Sequence, residues 1–243
     1  MDSERDRIYA RQQQAVADFS FDEAVVNVFP DMIRRSVPGY GTLLALVGVI
    51  AAEYAQADSR CYDLGCSVGA TTLALRRHIR RPGCTIVAVD NSAAMLDVCR
   101  TNIANDDSPL TVELLCADIR ELVIEDASVV VLNYTLQFVE PQLRSELIRR
   151  IYNGMRAGGV LVLSEKVCFD DQPWQDRAIA LHHAFKRANG YSDLEISQKR
   201  AALERVLVPE TEDIHLRRLT AAGFSMAETW FQCLNFMSIL AIK

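Results

Sequence analysis

The 243-residue chain has no C-x-x-C pair, and its seven cysteines (Cys61, Cys66, Cys84, Cys99, Cys116, Cys168, Cys233) are odd in number and scattered. That pattern excludes a disulfide framework and a cysteine zinc site; it predicts free thiols in a reducing compartment, the cytoplasm, and no metal. No apolar run opens the chain, because Met1 to Asp18 is polar and charged, so a secretory signal is not expected. The longest apolar stretch, Leu43 to Ala52, carries Gly48 and falls short of the ~20 residues that span a bilayer. No membrane association is expected. Positive charge is also in deficit: 26 Lys and Arg face 32 Asp and Glu, a net charge of -6. This balance opposes the phosphate attraction behind most nucleic-acid affinity, and no direct nucleic-acid binding is expected. The one basic run, Arg76-Arg77-His78-Ile79-Arg80-Arg81, falls at the end of a predicted helix. There cations offset the helix dipole, a binding patch being the alternative. Internal repeats and low-complexity tracts are missing too.

What is present is the ordinary mixture of a folded protein, half apolar and a quarter charged, in a length that suits one α/β domain over residues 1–243. Helix and strand patterns alternate. An N-terminal helical segment, 18–57, includes a helix over Tyr40 to Tyr54, and a short strand follows at Arg60 to Leu64. Val68, Thr72, Leu75 and Ile79 then share one helical face before Pro82-Gly83 stops it. Cys84 to Val89 is short, continuous and β-branched, as in a strand covered on both faces. Strands at Leu110 to Ala117, Ser128 to Asn133 and Val160 to Glu165, with a helix at Pro141 to Met155, continue the rhythm. Ser225 to Gln232 and Asn235 to Ile242 read as a closing antiparallel hairpin. The fold expected is a doubly wound, mostly parallel sheet with helices on both faces. Between 170 and 209 the rhythm stops, and a polar helical insertion is expected over the C-terminal end of the sheet. Such sheets bind ligands there, so the insertion is either a substrate cover or a plain helical bulge.

The chemistry-bearing residues fall at successive strand ends. Tyr62-Asp63-Leu64-Gly65-Cys66-Ser67-Val68-Gly69 is a glycine-bounded turn between strand and helix, where missing side chains let backbone N–H groups approach a ligand. Gly65 and Gly69 are four apart, so this is not the G-x-G-x-x-G fingerprint. Asp90 ends the next strand 25 residues after Gly65, near the spacing of about 20 at which an acid meets ribose hydroxyls in dinucleotide folds. Capping of the following helix is its other reading, although Asn91-Ser92 also offers a cap. Asp118, with Ile119 beside it, ends the third strand and suits an adenine amino group and ring; Asn133 ends the fourth. Two acids and an amide thereby converge on one crevice.

The segments DLGCSVG, VAVDNS, CADIR and VVLNYTLQF resemble the class I S-adenosylmethionine-dependent methyltransferase fold. More narrowly, VFPDMI, RSVPGY, LSEK, HHAFKRANGY and LEISQKR resemble the carboxy-S-adenosyl-L-methionine synthase family, from about Phe21 to the C-terminus. That resemblance implies a Rossmann-like domain that does not donate the methyl group. One methyl proton is instead replaced by a carboxylate taken from prephenate, with release of phenylpyruvate. It implies S-adenosyl-L-methionine as substrate and carboxy-S-adenosyl-L-methionine as product. A homodimer is implied, as is a tRNA carboxymethyltransferase that consumes the product to make the oxyacetic acid form of wobble uridine. It implies that Tyr40, Gly65, Cys66, Ser67, Asp90, Asn91, Asp118, Ile119 and Asn133 hold the cofactor, and that Arg200 grips the transferred carboxylate.

Physical chemistry is compatible with those roles. An arginine repels a plain sulfonium and attracts the carboxylate once formed. Loss of a methyl proton leaves an ylide that a water-poor pocket under the insertion protects. No protein base is assigned, since hydroxide or water released as prephenate decarboxylates can serve. Of His182 and His183, adjacent on a helix and facing different ways, at most one is expected at the site. Cys66 is read for its backbone rather than its thiol, and Trp230 and Phe236 as core. An ordinary methyltransferase with another acceptor is the competing reading. A non-catalytic S-adenosylmethionine-binding subunit or RNA-binding module is a second, disfavoured by the acidic charge and the intact polar set.

Overall fold

The computed structural model describes residues 5–243; the first four residues of the N-terminal tail, for which the sequence suggests no role, lie outside it. Seven strands form one sheet in the order β3-β2-β1-β4-β5-β7-β6. The parallel strands are β1 (Arg60–Leu64), β2 (Thr85–Asp90), β3 (Thr111–Cys116), β4 (Ala127–Asn133) and β5 (Met155–Lys166). The hairpin β6 (Met226–Cys233) and β7 (Phe236–Ile242) joins antiparallel, with β7 against β5 and β6 at the edge. Mixed though it is, the sheet is the doubly wound arrangement that the alternating sequence patterns predict.

Alternation of side chains along the central strands builds two cores. Val130 and Leu132 of β4 and Leu161 and Leu163 of β5 pack on one face against Leu147, Ile148 and Ile151 of α5 (Pro141–Gly154) and Leu219 of α8 (Glu212–Ala222). Val129, Val131, Val160 and Val162 point the other way, onto Leu43, Val47 and Ala51 of α2 (Tyr40–Tyr54) and Leu75 and Ile79 of α3 (Ala70–His78). Each of these strand side chains is fully or almost fully buried, which stabilises the fold by roughly 1.5–3 kcal/mol apiece before chain entropy is set against it. The helices α2 and α3 cross closely at Gly48, where a Cβ would sit 2.5 Å from His78 Nδ1 and 2.7 Å from the Ala74 carbonyl.

The rest of the chain gathers at the C-terminal ends of the parallel strands. Helix α1 (Glu23–Ser36) starts on Asp22, whose carboxylate accepts from the Ala24 and Val25 amides. It packs near α4 (Ala93–Ala104), while α6 (Gln172–Ala188) and α7 (Asp193–Leu203) occupy the segment after β5. The segment ahead of α1 is ordered across these helices. Tyr9 and Phe19 are buried with Val25, Val28, Met95 and Ala202, and the Phe19 amide donates to the Ala202 carbonyl at 3.0 Å. Among the described residues no single helix is long and apolar enough to cross a membrane.

Candidate active site

A cavity of about 440 Å³ opens at those strand ends, beneath α1, α6, α7 and the segment around Phe19 and Phe21, within the range of small-molecule sites. Tyr40, Gly65, Cys66, Ser67, Asp90, Asn91, Asp118, Ile119 and Asn133 all line it. Arg200 does not; it is exposed on α7. Its charge still disfavours protonation of Lys166 and His183.

The turn after β1 owes its shape to residues in left-handed conformations: Gly65 (φ 85°), Ser67 (φ 51°) and Gly69 (φ 90°). A Cβ on Gly65 would collide with Thr135, and one on Gly69 would lie 2.7 Å from Cys99 Sγ. The glycines therefore serve close packing as much as the turn. Four of the turn's five amides, all but that of Val68, are bonded within the protein. Gly65 and Cys66 both donate to the Val89 carbonyl (2.8 and 2.9 Å), and the Ser67 amide donates to Asp90 Oδ2 at 2.8 Å. With those donors used internally, the turn differs from an anion cradle of the phosphate-binding kind. The Cys66 thiol is buried, and its neighbour Cys99 together with burial pushes its pKa far up, so it stays protonated.

Asp90 thus braces two loops. Its Oδ1 accepts from the Ser92 amide at 2.9 Å, while Ser92 itself caps α4 through the Met95 amide. Burial raises the Asp90 pKa against those hydrogen bonds, and each carboxylate oxygen retains a lone pair for a hydroxyl. Asp118 is held differently. Arg120 spans its carboxylate (Nε to Oδ2 2.9 Å, Nη2 to Oδ2 2.6 Å) and reaches Glu140 at 2.9 Å, an exposed ion network that keeps Asp118 below the usual carboxylate range. Arg120 carries no signal in the sequence beyond standing two residues on.

Three buried polar atoms near the turn lack partners: Asp63 Oδ1, Asn133 Oδ1 and the Tyr134 hydroxyl. Asn133 is oriented by Nδ2 donating to Thr71 Oγ1 at 3.0 Å, and Asp63 accepts from Thr72 Oγ1 at 2.6 Å. Burial pushes the Asp63 pKa up to about 7. Unpaired buried oxygens cost stability unless a ligand donor meets them. Aromatic rings close the walls, with Tyr134 lying 6.4 Å from Tyr40 and 5.8 Å from Phe236, centroid to centroid. Phe236, read from sequence as core, is buried and also lines the cavity.

Sequence reasoning missed the lysines at the far end of the cavity, and of the two adjacent histidines it expected at most one there. Lys166 at the end of β5, His182 and Lys186 on α6, and Lys199 on α7 all line it. His182 is buried, its Nε2 2.8 Å from the Ser36 carbonyl, and burial with the nearby Lys186 charge lowers its pKa to about 3. It is a neutral positioning group, whereas His183 is absent from the lining. Burial, then Lys199 and Lys166, bring Lys186 down to about 7. Burial brings Lys199 to about 8 against the Asp6 carboxylate 3.7 Å away. Among the described residues no group of three His, Cys, Asp or Glu side chains is arranged to hold a metal ion.

A family model described as a methyltransferase domain matches residues 62–159. The carboxy-S-adenosyl-L-methionine synthase of Trichlorobacter lovleyi is 58% identical over 244 residues, covering 100% of both chains. That of Geobacter metallireducens is also 58% identical at the same coverage, and that of Photobacterium profundum is 54% identical over 98% of each chain. Among solved structures, an O-methyltransferase family protein from Burkholderia thailandensis aligns with a TM-score of 0.63 at 19% identity, over 91% of this chain and 60% of that one. Human N-acetylserotonin methyltransferase, solved with its methyl donor, aligns at 0.60 and 16%, over 91% and 55%. At such identities these structures show the shared class I methyltransferase fold.

Proposed function

Since this chain belongs to the carboxy-S-adenosyl-L-methionine synthase family, we propose that it makes carboxy-S-adenosyl-L-methionine from S-adenosyl-L-methionine and prephenate, with phenylpyruvate released. The observation that carries this reading is the composition of that cavity, whose strand-end half suits a nucleoside and whose far end is lined with ammonium groups. A methyl acceptor has no use for lysines beside a sulfonium, since like charges repel; an acidic co-substrate does.

In this reading Asp90 accepts from the ribose hydroxyls with the lone pairs left free by Ser67 and Ser92. Asp118 and Ile119 face the adenine, Arg120 yielding one carboxylate oxygen. Asn133 Oδ1, buried without a partner, takes a donor from the methionine end, and Tyr40 walls the sulfonium. Decarboxylation of prephenate releases carbon dioxide and hydroxide and leaves phenylpyruvate. Hydroxide removes a methyl proton, forming water, and the carbon electron pair so exposed bonds to carbon dioxide. No side chain has to act as the base, and the aromatic walls exclude bulk water that would reprotonate the carbon. Arg200 then closes onto the new carboxylate.

The wider setting belongs to the same proposal: a cytoplasmic enzyme with free thiols, needing no metal, whose product feeds a tRNA carboxymethyltransferase. It works as a homodimer, for which Leu46 and Val49 on α2 and Leu181 on α6 supply exposed apolar surface. The test is incubation with both substrates followed by mass analysis of the nucleoside. Arg200→Ala is expected to weaken retention of the carboxylated nucleoside at least tenfold more than that of S-adenosyl-L-methionine. Equal losses would remove Arg200 from the role.

A further inference from the structure

The far end of the cavity holds more positive charge than its surroundings balance. Lys186 and Lys199 are 7% and 6% exposed, and Lys166 is half-buried. Lys199 has protein partners, since its Nζ donates to Ser36 Oγ at 3.2 Å and lies 3.7 Å from Asp6 Oδ2. Among the described residues neither Lys166 nor Lys186 has a carboxylate within ion-pair distance. Asp6 is itself fixed by the Tyr191 hydroxyl at 2.5 Å and by Asp31, which accepts from the Asp6 amide at 2.8 Å. The Asp31 charge is met by Arg35 at 2.9 Å, so it is not free to neutralise a lysine. The remaining groups facing this end add no negative charge: His182 is neutral, and His183 and Arg200 lie outward on α6 and α7. Three ammonium groups against the one Asp6 carboxylate leave two positive charges when all are protonated.

Buried like charges that lower one another's protonation are held at a cost in stability. A ligand carrying two negative charges reverses that cost. We propose that Lys166, Lys186 and Lys199 form the seat for the two carboxylates of a small dicarboxylate substrate, next to the nucleoside half of the cavity. This rests on the reading of an acidic co-substrate given above and adds which residues hold it. Lys199, braced by Asp6 and Ser36, is the preformed anchor. Lys186, whose protonation both other lysines oppose, completes it when the anion arrives, so that binding takes up a proton from solution above about pH 7. The N-terminal segment thereby acquires a part in the site, because Asp6 positions Lys199.

The experiment uses the full-length protein with S-adenosyl-L-methionine and prephenate. For Lys186→Met and Lys166→Met, the KM for prephenate at pH 7.5 is expected to rise at least tenfold while the KM for S-adenosyl-L-methionine stays within about twofold; Lys186→Arg recovers part of the loss. Calorimetric titration of prephenate into the wild-type protein, repeated in buffers of different ionisation heat, is expected to show net proton uptake that Lys186→Met abolishes. Should either variant fold poorly, the wild-type protein supplies a second readout. Prephenate, but not S-adenosyl-L-methionine alone, is expected to protect Lys166, Lys186 and Lys199 from reductive methylation. Carboxylated nucleoside made by the wild type, with an unchanged prephenate KM in both variants or no protection of these lysines, overturns the assignment and leaves the reaction standing. No carboxylated nucleoside from the wild type overturns the reaction itself.

Discussion

At the scale of residues, burial sets the charge state of the groups that matter most. Lys186 falls from 10.5 to about 7 because water is withdrawn and two ammonium groups stand near. Its folded-state value is the depressed one, so its contribution to stability is present above about pH 10.5 and is lost as pH falls through 7. Lys186→Met is therefore expected to stabilise the ligand-free protein at pH 7 by about 1–2 kcal/mol, a thermal midpoint about 2–8 °C higher. The gain fades toward pH 10, and melting curves of both proteins across pH check it. Asp63 and Glu165, raised to about 7 and about 8 by burial, act oppositely. The stability they contribute is present below their ordinary values and is lost as pH rises through 7 and 8. They are common to both proteins and cancel in the comparison. Asp90 offers a second test. Asp90→Ala frees the Ser67 and Ser92 amides together, and S-adenosyl-L-methionine affinity measured by calorimetry is expected to fall at least tenfold. Ser92→Ala, which removes the α4 cap and the hydroxyl's bond to the Phe21 carbonyl but leaves Asp90 in place, costs about 1 kcal/mol of stability for the cap and less affinity than Asp90→Ala. Asp90 was legible because a strand end and a sequence interval announce it. The lysines were not: Lys166, Lys186 and Lys199 come from three elements, and no local pattern shows that their side chains meet.

Among elements, the central strands were readable because β-branched runs covered on both faces have few other uses. β1 falls on Arg60–Leu64 as its pattern indicates, β4 starts one residue earlier than expected, and β5 starts five residues earlier and ends one later. Helix α8 was not read from sequence, although Thr211 caps it and Gly223 (φ 112°) ends it; its polar composition hid the apolar face around Leu219. The loop after β1 was recognised, but its amides were assigned to a ligand when they serve Val89 and Asp90. Long-range hydrogen bonds of that kind have no sequence signature. Gly69→Ala tests the packing explanation. Strain at φ 90° and the Cys99 contact are expected to cost about 1–3 kcal/mol and to raise the KM for S-adenosyl-L-methionine. On α7, Ser192 and Glu195 form a reciprocal capping box. Ser192→Ala is expected to cost about 1 kcal/mol and to raise the prephenate KM more than the S-adenosyl-L-methionine KM, because α7 carries Lys199.

For the whole molecule, the sheet does what sheets of this topology do: it gathers loop residues at one end and leaves the helices to decide what enters. The strand-end set lines one part of the cavity and three lysines line its far end. That end depends on parts remote in sequence, from Asp6 to Lys199, held together by the ordered segment across α1, α6 and α7. Bound nucleoside and dicarboxylate should therefore each raise the thermal midpoint, and both together more than either alone. The most direct measurement of the central claim is a single incubation with S-adenosyl-L-methionine and prephenate labelled with carbon-13 in its ring carboxylate, followed by mass spectrometry. The account predicts a nucleoside heavier by one labelled carboxylate, with unlabelled phenylpyruvate in equal amount. S-adenosylhomocysteine accumulating beside a methylated acceptor, with no label in the nucleoside, would contradict it.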